Sequence, residues 1–148
     1  MSTFTREIDA WCDWLRAAGR AWGTVSLRRT QLRRLARAHP DRSPWTLDAE
    51  DLVRWLAHHE WDQETRRSHR SAVRAFWSWA IATGRTRTDV AAALPSVPAR
   101  QGQPRPTAED GITAALARAD ERDRVMILCG AEAGMRACEI ATLHSDRL

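Results

Sequence analysis

Two runs of arginine at helical spacing are the residues of this 148-residue chain best placed to do chemistry. Arg28, Arg29, Arg33, Arg34 and Arg37 fall between Val25 and Arg37 with no acid among them, and Arg66, Arg67, Arg70, Arg74, Arg85 and Arg87 fall between Thr65 and Thr88, again without an acid. On helices, positions 28, 29, 33, 34 and 37 lie against an apolar side of Leu32, Leu35 and Ala36. Positions 66, 67, 70 and 74 lie against Val73, Phe76, Trp77, Ala80 and Ile81. Each helix then presents guanidinium groups while its back packs on a core, the layout that lets a helix lie in or across the roughly 12 Å major groove of duplex DNA. A guanidinium forks onto two phosphate oxygens, or onto guanine O6 and N7, with the same geometry. Gln31, His69 and Ser71 stand beside these arginines as further polar groups able to read bases. The same pattern also describes solvated helix faces whose charges find partners elsewhere in the fold.

Near the end, Arg136 follows a glycine break at Gly134, with Glu139 three residues on; taken alone it reads as an ordinary surface arginine. All 23 basic residues are arginine and there is no tyrosine. A mechanism needing a tyrosine nucleophile or a lysine acid therefore cannot be completed by these residues. Cys12, Cys129 and Cys138 show no CxxC spacing and are odd in number, which argues against a zinc knuckle or a disulfide framework. They read as small apolar residues in a reducing cytosol, and no metal is implied.

The elements that must hold these groups read as helices throughout, with no clear strand. Apolar residues at Ile8, Trp11, Cys12, Leu15 and Ala18 predict a helix over Phe4–Ala18, stopped by Gly19 in the left-handed conformation. Thr24 then offers a cap to a second helix over Val25–Ala38, with Pro40 beyond its end. Asp48 caps a third over Ala49–His58, with Leu47 and Leu52 as a hydrophobic staple. Asp62 caps a fourth over Gln63–Thr83, closed by Gly84, and a short fifth spans Asp89–Leu94. Pro95, Pro98, Pro104 and Pro106 then fall within twelve residues and predict a linker over 95–106. Beyond it, Thr107 to Asp110 reads as a capping box opening a helix over Ala108–Ala119. Further helices follow over Arg122–Ala133 and Arg136–Leu143.

Charge divides along the same line: residues 1–94 hold 16 arginines against 11 acids, whereas 95–148 hold 7 against 8. The basic part is the one with the arginine helices, the electrostatic footprint of a polyanion binder. With 43% hydrophobic and 28% charged residues the chain is neither disordered nor membrane-spanning. Its longest uncharged stretches, Ala75–Gly84 and Val125–Ala131, fall far short of the roughly 20 residues a bilayer span needs. No basic segment with an apolar core opens the chain as a secretory signal would. All eight tryptophans lie between positions 11 and 79 and read as core and helix–helix contacts. A platform for single-stranded bases would want them among the arginines, and the helical pattern turns Trp11 and Trp77 away.

Three stretches, in this order, resemble the front part of a tyrosine recombinase of the phage integrase family. They are IDAWCDWLRAAG (8–19) with the following GTVSLRRTQLRRLARA, TRRSHRSAVRAFWSWAIATG (65–84) leading to AAALPSVP, and AGMRACEIATL (133–143). The last is the most diagnostic, resembling the family's T-G-L-R-x-x-E-(I/L)-x-x-L block with AGM in place of TGL. The resemblance implies an all-α fold in which 1–94 form a small SAM-like helical bundle, the core-binding domain, making one half of a clamp around duplex DNA. Residues 95–106 would be the linker, and 107–148 the first helices of an incomplete catalytic domain. It turns the second and fourth helices, the two selected by charge, toward the major groove. It also implies that Arg136 is the first catalytic arginine, stabilising charge on the scissile phosphate, with Glu139 supporting it.

The activity implied is site-specific DNA recombination and integration in the cytoplasm of a bacterial host. Double-stranded DNA of a core attachment site would be the partner, and the full protein would self-associate on it. The phosphodiester energy would be kept in a 3′-phosphotyrosine link, so no metal or nucleotide cofactor is implied. The chain stops before the family's lysine hairpin, His-x-x-Arg block and tyrosine. It is therefore expected to bind DNA without cutting or rejoining it, as a piece of a longer integrase or a natural remnant, and to be a monomer off DNA. Met1 runs straight into the first helix, so no arm-site domain is expected before it. Two other readings fit the same residues: a non-catalytic DNA-binding regulator acting by occupancy, and a helical module whose arginines meet an acidic protein.

Overall fold

Apolar side chains at Phe4, Ile8, Trp11, Cys12 and Leu15 recur every three to four residues and form the buried stripe of α1, Thr3–Ala17. The computed structural model describes residues 3–99 and 107–143. Gly19, at φ 70°, ends the first helix. Its N–H donates to the Arg16 carbonyl and that of Arg20 to the Leu15 carbonyl, the paired bonds of a Schellman turn. Helix α2, Trp22–Ala38, starts three residues before the position that Thr24 marks, because the chain re-enters helical geometry straight after Ala21. Ala21 is the cap residue and has no side-chain acceptor, while Thr24 is wound into the first turn.

A 3₁₀ turn at Pro44–Thr46, which the pattern does not announce, brings Trp45 over the core, where it stacks on Phe76 with centroids 5.4 Å apart. Helix α3, Ala49–Ala57, opens on a capping box: the Asp51 N–H donates to Asp48 Oδ1 at 2.8 Å and the Asp48 N–H to Asp51 Oδ2 at 3.2 Å. Replacing Asp48 with Ala is expected to cost about 1 kcal/mol of stability, read as a lower urea midpoint at unchanged slope. Leu47 and Leu52, on either side of that cap, are both buried.

Helix α4, Gln63–Ala82, is capped by Asp62 and buries Ala72, Val73, Phe76, Trp77, Trp79 and Ala80. Ile81 is exposed, contrary to the expected stripe. The buried arc runs from Trp79 and Ala72 across Phe76 to Trp77, and at 100° per residue Ile81 falls past its edge. Gly84, at φ 73°, closes the helix with the same paired bonds as Gly19. A second 3₁₀ turn, Val90–Ala93, replaces the predicted short α-helix, with Asp89 accepting from the Ala91 and Ala92 amides. These elements share one core centred on Phe76, whose ring meets Phe4, Trp11, Trp45, Trp77 and Trp79 at centroid distances of 5.3 to 6.5 Å.

The chain divides into two compact units, 1–101 and 102–148. In the second, α5 covers Glu109–Arg118 and begins one residue late for the expected capping box: Ala108 is the cap residue and Thr107 stands outside it. Helix α6, Glu121–Ala131, is capped by Asp120, which accepts from the Asp123 amide at 2.8 Å. The Arg124 side chain donates to the Leu116 carbonyl and ties α6 to α5. A four-residue helix, α7, covers Ala137–Ile140. No described residue of this unit is buried. The described residues are all helix, turn or irregular segment, with no strand. Of the expected linker, 95–99 have no regular structure and 100–106 lie outside the described residues, as do Met1, Ser2 and 144–148.

Candidate nucleic-acid interface

Helices α2 and α4 lie side by side and antiparallel. Arg28 Nη2 donates to Ser71 Oγ at 3.2 Å, and Gln31 Nε2 donates to Ser68 Oγ at 2.7 Å. The Arg34 guanidinium sits 5.9 Å from the ring centre of Trp61, just before α4. Numbers rise along α2 as they fall along its partner. With Ser68 and Ser71 on the seam, helical phase sets Arg67 and Arg74 on the adjoining outer side of α4. Arg34 and Arg37 take the matching outer side of α2. All four are exposed. Arg67 has Glu64 for a neighbour at 3.1 Å, a surface pair of little strength that a phosphate can displace.

The other predicted arginines are held differently. Arg29 and Arg33 turn toward α1, where Asp9 lies 3.3 and 3.6 Å from them. Arg66 donates to the His59 carbonyl and Arg70 to the Leu94 carbonyl, each at 3.0 Å, so both fasten the bundle on the flank of α4 away from α2. Arg28 is half-buried, and burial pulls its pKa below the ordinary arginine value; a nearby anion would offset that cost. The structure therefore brings Arg28, Arg34, Arg37, Arg67 and Arg74 to one seam and sets Arg29, Arg33, Arg66 and Arg70 on its flanks. Gln31 and His69, offered by the sequence as base readers, are buried. They are polar links between elements, and Ser71 is the acceptor for Arg28.

His69 belongs to a ring stack: Trp61 lies between it and His59, with centroids 3.9 and 4.1 Å away. Its Nδ1 is 3.0 Å from the Thr65 carbonyl. Burial, helped by the positive charge of Arg34 and outweighing the Thr65 bond, lowers its pKa below 6.5. The unfolded chain therefore takes up the proton first, and stability falls as pH drops below about 6.5 until the folded ring also protonates. His39 is shifted the same way, by burial. Stability measured from pH 7 to pH 5 should therefore fall less steeply in a His69→Phe variant, which keeps a flat ring beside Trp61. An unchanged slope would contradict this.

Arg136 caps α7 with its side chain 80% exposed. The Glu139 carboxylate accepts from the Arg136 amide at 2.7 Å and from its guanidinium at 3.2 Å. Glu139 thus aims the arginine while leaving it open to solvent. No group of three or more histidine, cysteine or acidic side chains able to hold a metal occurs among the described residues. No described helix is long and apolar enough to cross a membrane.

Residues 8–84, from α1 to the glycine that closes α4, match the family model of the phage integrase N-terminal SAM-like domain. The chain belongs to this family. Its structure is similar to that of an integrase from mycobacterium phage Brujita, with a TM-score of 0.64 and 28% identity. The match covers 99% of this chain and 52% of that one, so the chain spans about half the length of that integrase. No curated protein matches the sequence. The SAM-like match contains every arginine of the α2 and α4 faces, while Arg136 and Glu139 lie beyond it. It also contains two groups that reading by helical periodicity passes over, Arg20 and the indole N–H of Trp79. The only signal for Arg20 was its place just after a helix-ending glycine; for the indole there was none, since tryptophan in an apolar stripe reads as core.

Proposed function

We propose that this chain is the DNA-holding front part of a site-specific tyrosine recombinase of the integrase type. Residues 1–94 serve as the core-binding domain, 95–106 as a linker, and 107–148 as the beginning of a catalytic domain. The observation that carries this reading is the seam of α2 and α4, where exposed arginines with few acidic neighbours stand inside the span matched to a phage integrase domain. Its guanidinium groups neutralise phosphates on both sides of a major groove of the core attachment site and fix the register of the domain on the duplex. Arg136 stabilises charge on the scissile phosphate and Glu139 holds it there. With no tyrosine or lysine, these 148 residues bind without cutting, and strand exchange and self-association belong to the whole recombinase, acting in the cytoplasm of a bacterial host.

Fluorescence anisotropy of a labelled duplex of about 30 base pairs, titrated at several salt concentrations, tests this. Binding that weakens by about 0.9 log units per log salt for each phosphate neutralised is expected, with no nicked product. A response that is absent or flat in salt would overturn the DNA reading and favour an acidic protein partner for the arginines.

A further inference from the structure

We propose that the groove between the C-terminal end of α1, the N-terminal end of α2 and the C-terminal half of α4 binds a phosphate group. The groove is about 710 Å³, and none of its lining residues is acidic. Gly19, Arg20, Ala21 and Thr24 form one wall, which runs from the turn after α1 through the cap into the first turn of the 17-residue helix α2. The amides of that turn have no acceptor within the helix, and Ala21 has no side chain to supply one, so the positive end of the helix dipole is uncompensated. A phosphate is the ligand such an end accepts.

The second observation is independent of the helix end. Trp79, on the opposite wall, is only 4% exposed, and its indole N–H has no hydrogen-bond partner. A buried donor left without an acceptor is costly, and an oxyanion in the groove removes that cost. Arg28, also on the wall, keeps Nη2 on Ser71 while its buried Nη1 has no partner. Arg20 adds a second guanidinium, and Arg85 lies 4.2 Å over the Trp79 ring. Donors and positive charge thus meet along a lining that holds no acid, while Arg85, outside that lining, is paired with Glu7 at 3.0 Å. Arg28 belongs both to this groove and to the α2–α4 seam, so a backbone phosphate of bound DNA is one source of the ligand and free phosphate the other. The inference rests on the DNA-binding reading for the first source alone.

The test uses the full chain and two variants. Ala21→Asp puts a carboxylate at the cap of α2, where it should raise Tm by bonding the free amides and compete with the phosphate by charge. Trp79→Phe removes the indole donor and keeps an aromatic ring. Inorganic phosphate, titrated against sodium chloride of matched ionic strength, is expected to shift the Trp79 indole resonance and the amides of Trp22, Gly23 and Thr24. Those amide shifts should vanish in Ala21→Asp and weaken in Trp79→Phe. If DNA supplies the phosphate, Ala21→Asp also loses about tenfold in duplex affinity while its Tm rises. Phosphate shifts in the wild type with duplex affinity unchanged in Ala21→Asp assign the groove to free phosphate. No phosphate shifts together with unchanged duplex affinity in Ala21→Asp overturn the proposal, as do shifts that persist in that variant. A wild type that fails to bind duplex sinks the recombinase reading, and the phosphate titration then decides the groove separately.

Discussion

A Phe76→Ala variant is expected to lose about 3–5 kcal/mol of stability, a large part of the roughly 5–15 kcal/mol that holds a domain of this size together. Phe76 is fully buried, and its ring meets five aromatic side chains drawn from α1, the Pro44–Thr46 turn and α4 itself. Removing it opens a cavity that stiff indole and phenyl neighbours cannot collapse to fill. Urea unfolding followed by tryptophan fluorescence should show the midpoint lowered by about 2 M, taking a slope near 2 kcal/mol/M. Trp22→Ala is the matched control: Trp22 is 79% exposed, so its loss should change stability by no more than about 0.5 kcal/mol. Comparable shifts in the two variants would contradict a core centred on Phe76.

The second large effect is on DNA. Changing Arg34, Arg37, Arg67 and Arg74 together to Ala should leave the fold intact, because all four are exposed and what holds them is a distant ring and one surface ion pair. It should lower duplex affinity on the order of a hundredfold near 0.1 M salt and make the log–log salt slope shallower by about 3.6, at about 0.9 for each phosphate no longer neutralised. Changing Arg66 and Arg70 instead should cost mainly stability, since their guanidinium groups bond the His59 and Leu94 carbonyls. If the Arg66 and Arg70 change alone altered the salt slope, the DNA-facing side of α4 would be the opposite one.

What was legible in the sequence follows from what is local. The stripes of α1 and α4, apart from Ile81 at the edge, the caps at Asp48 and Asp62 and the two closing glycines depend on residues within one or two turns of each other, and local pattern reads them. The start of α2 differs because a hydroxyl at Thr24 reads as a cap, whereas the turn after Gly19 returns the chain to helix at Trp22. Gln31 and His69 look like surface readers until Ser68 and Trp61, more than a turn away or on another element, are known to cover them. The charge runs mark α2 and α4 but not which of their arginines stay available. That depended on Asp9 for Arg29 and Arg33 and on carbonyls of His59 and Leu94 for Arg66 and Arg70. Arg136 and Glu139 were read from a motif. Their 3.2 Å pairing fits that motif, and it equally fits a local pair at the start of any short helix.

The most direct test of the α2–α4 seam as the DNA-holding surface is residue-resolved NMR of the chain with and without a core-site duplex, following backbone amides and arginine side-chain signals. Shifts concentrated at Thr24–Arg37 and at Gln63–Arg74, with Arg34, Arg37, Arg67 and Arg74 among the largest, are the predicted result. Shifts confined to 107–143, or spread evenly over the flank that carries Arg66 and Arg70, would contradict it.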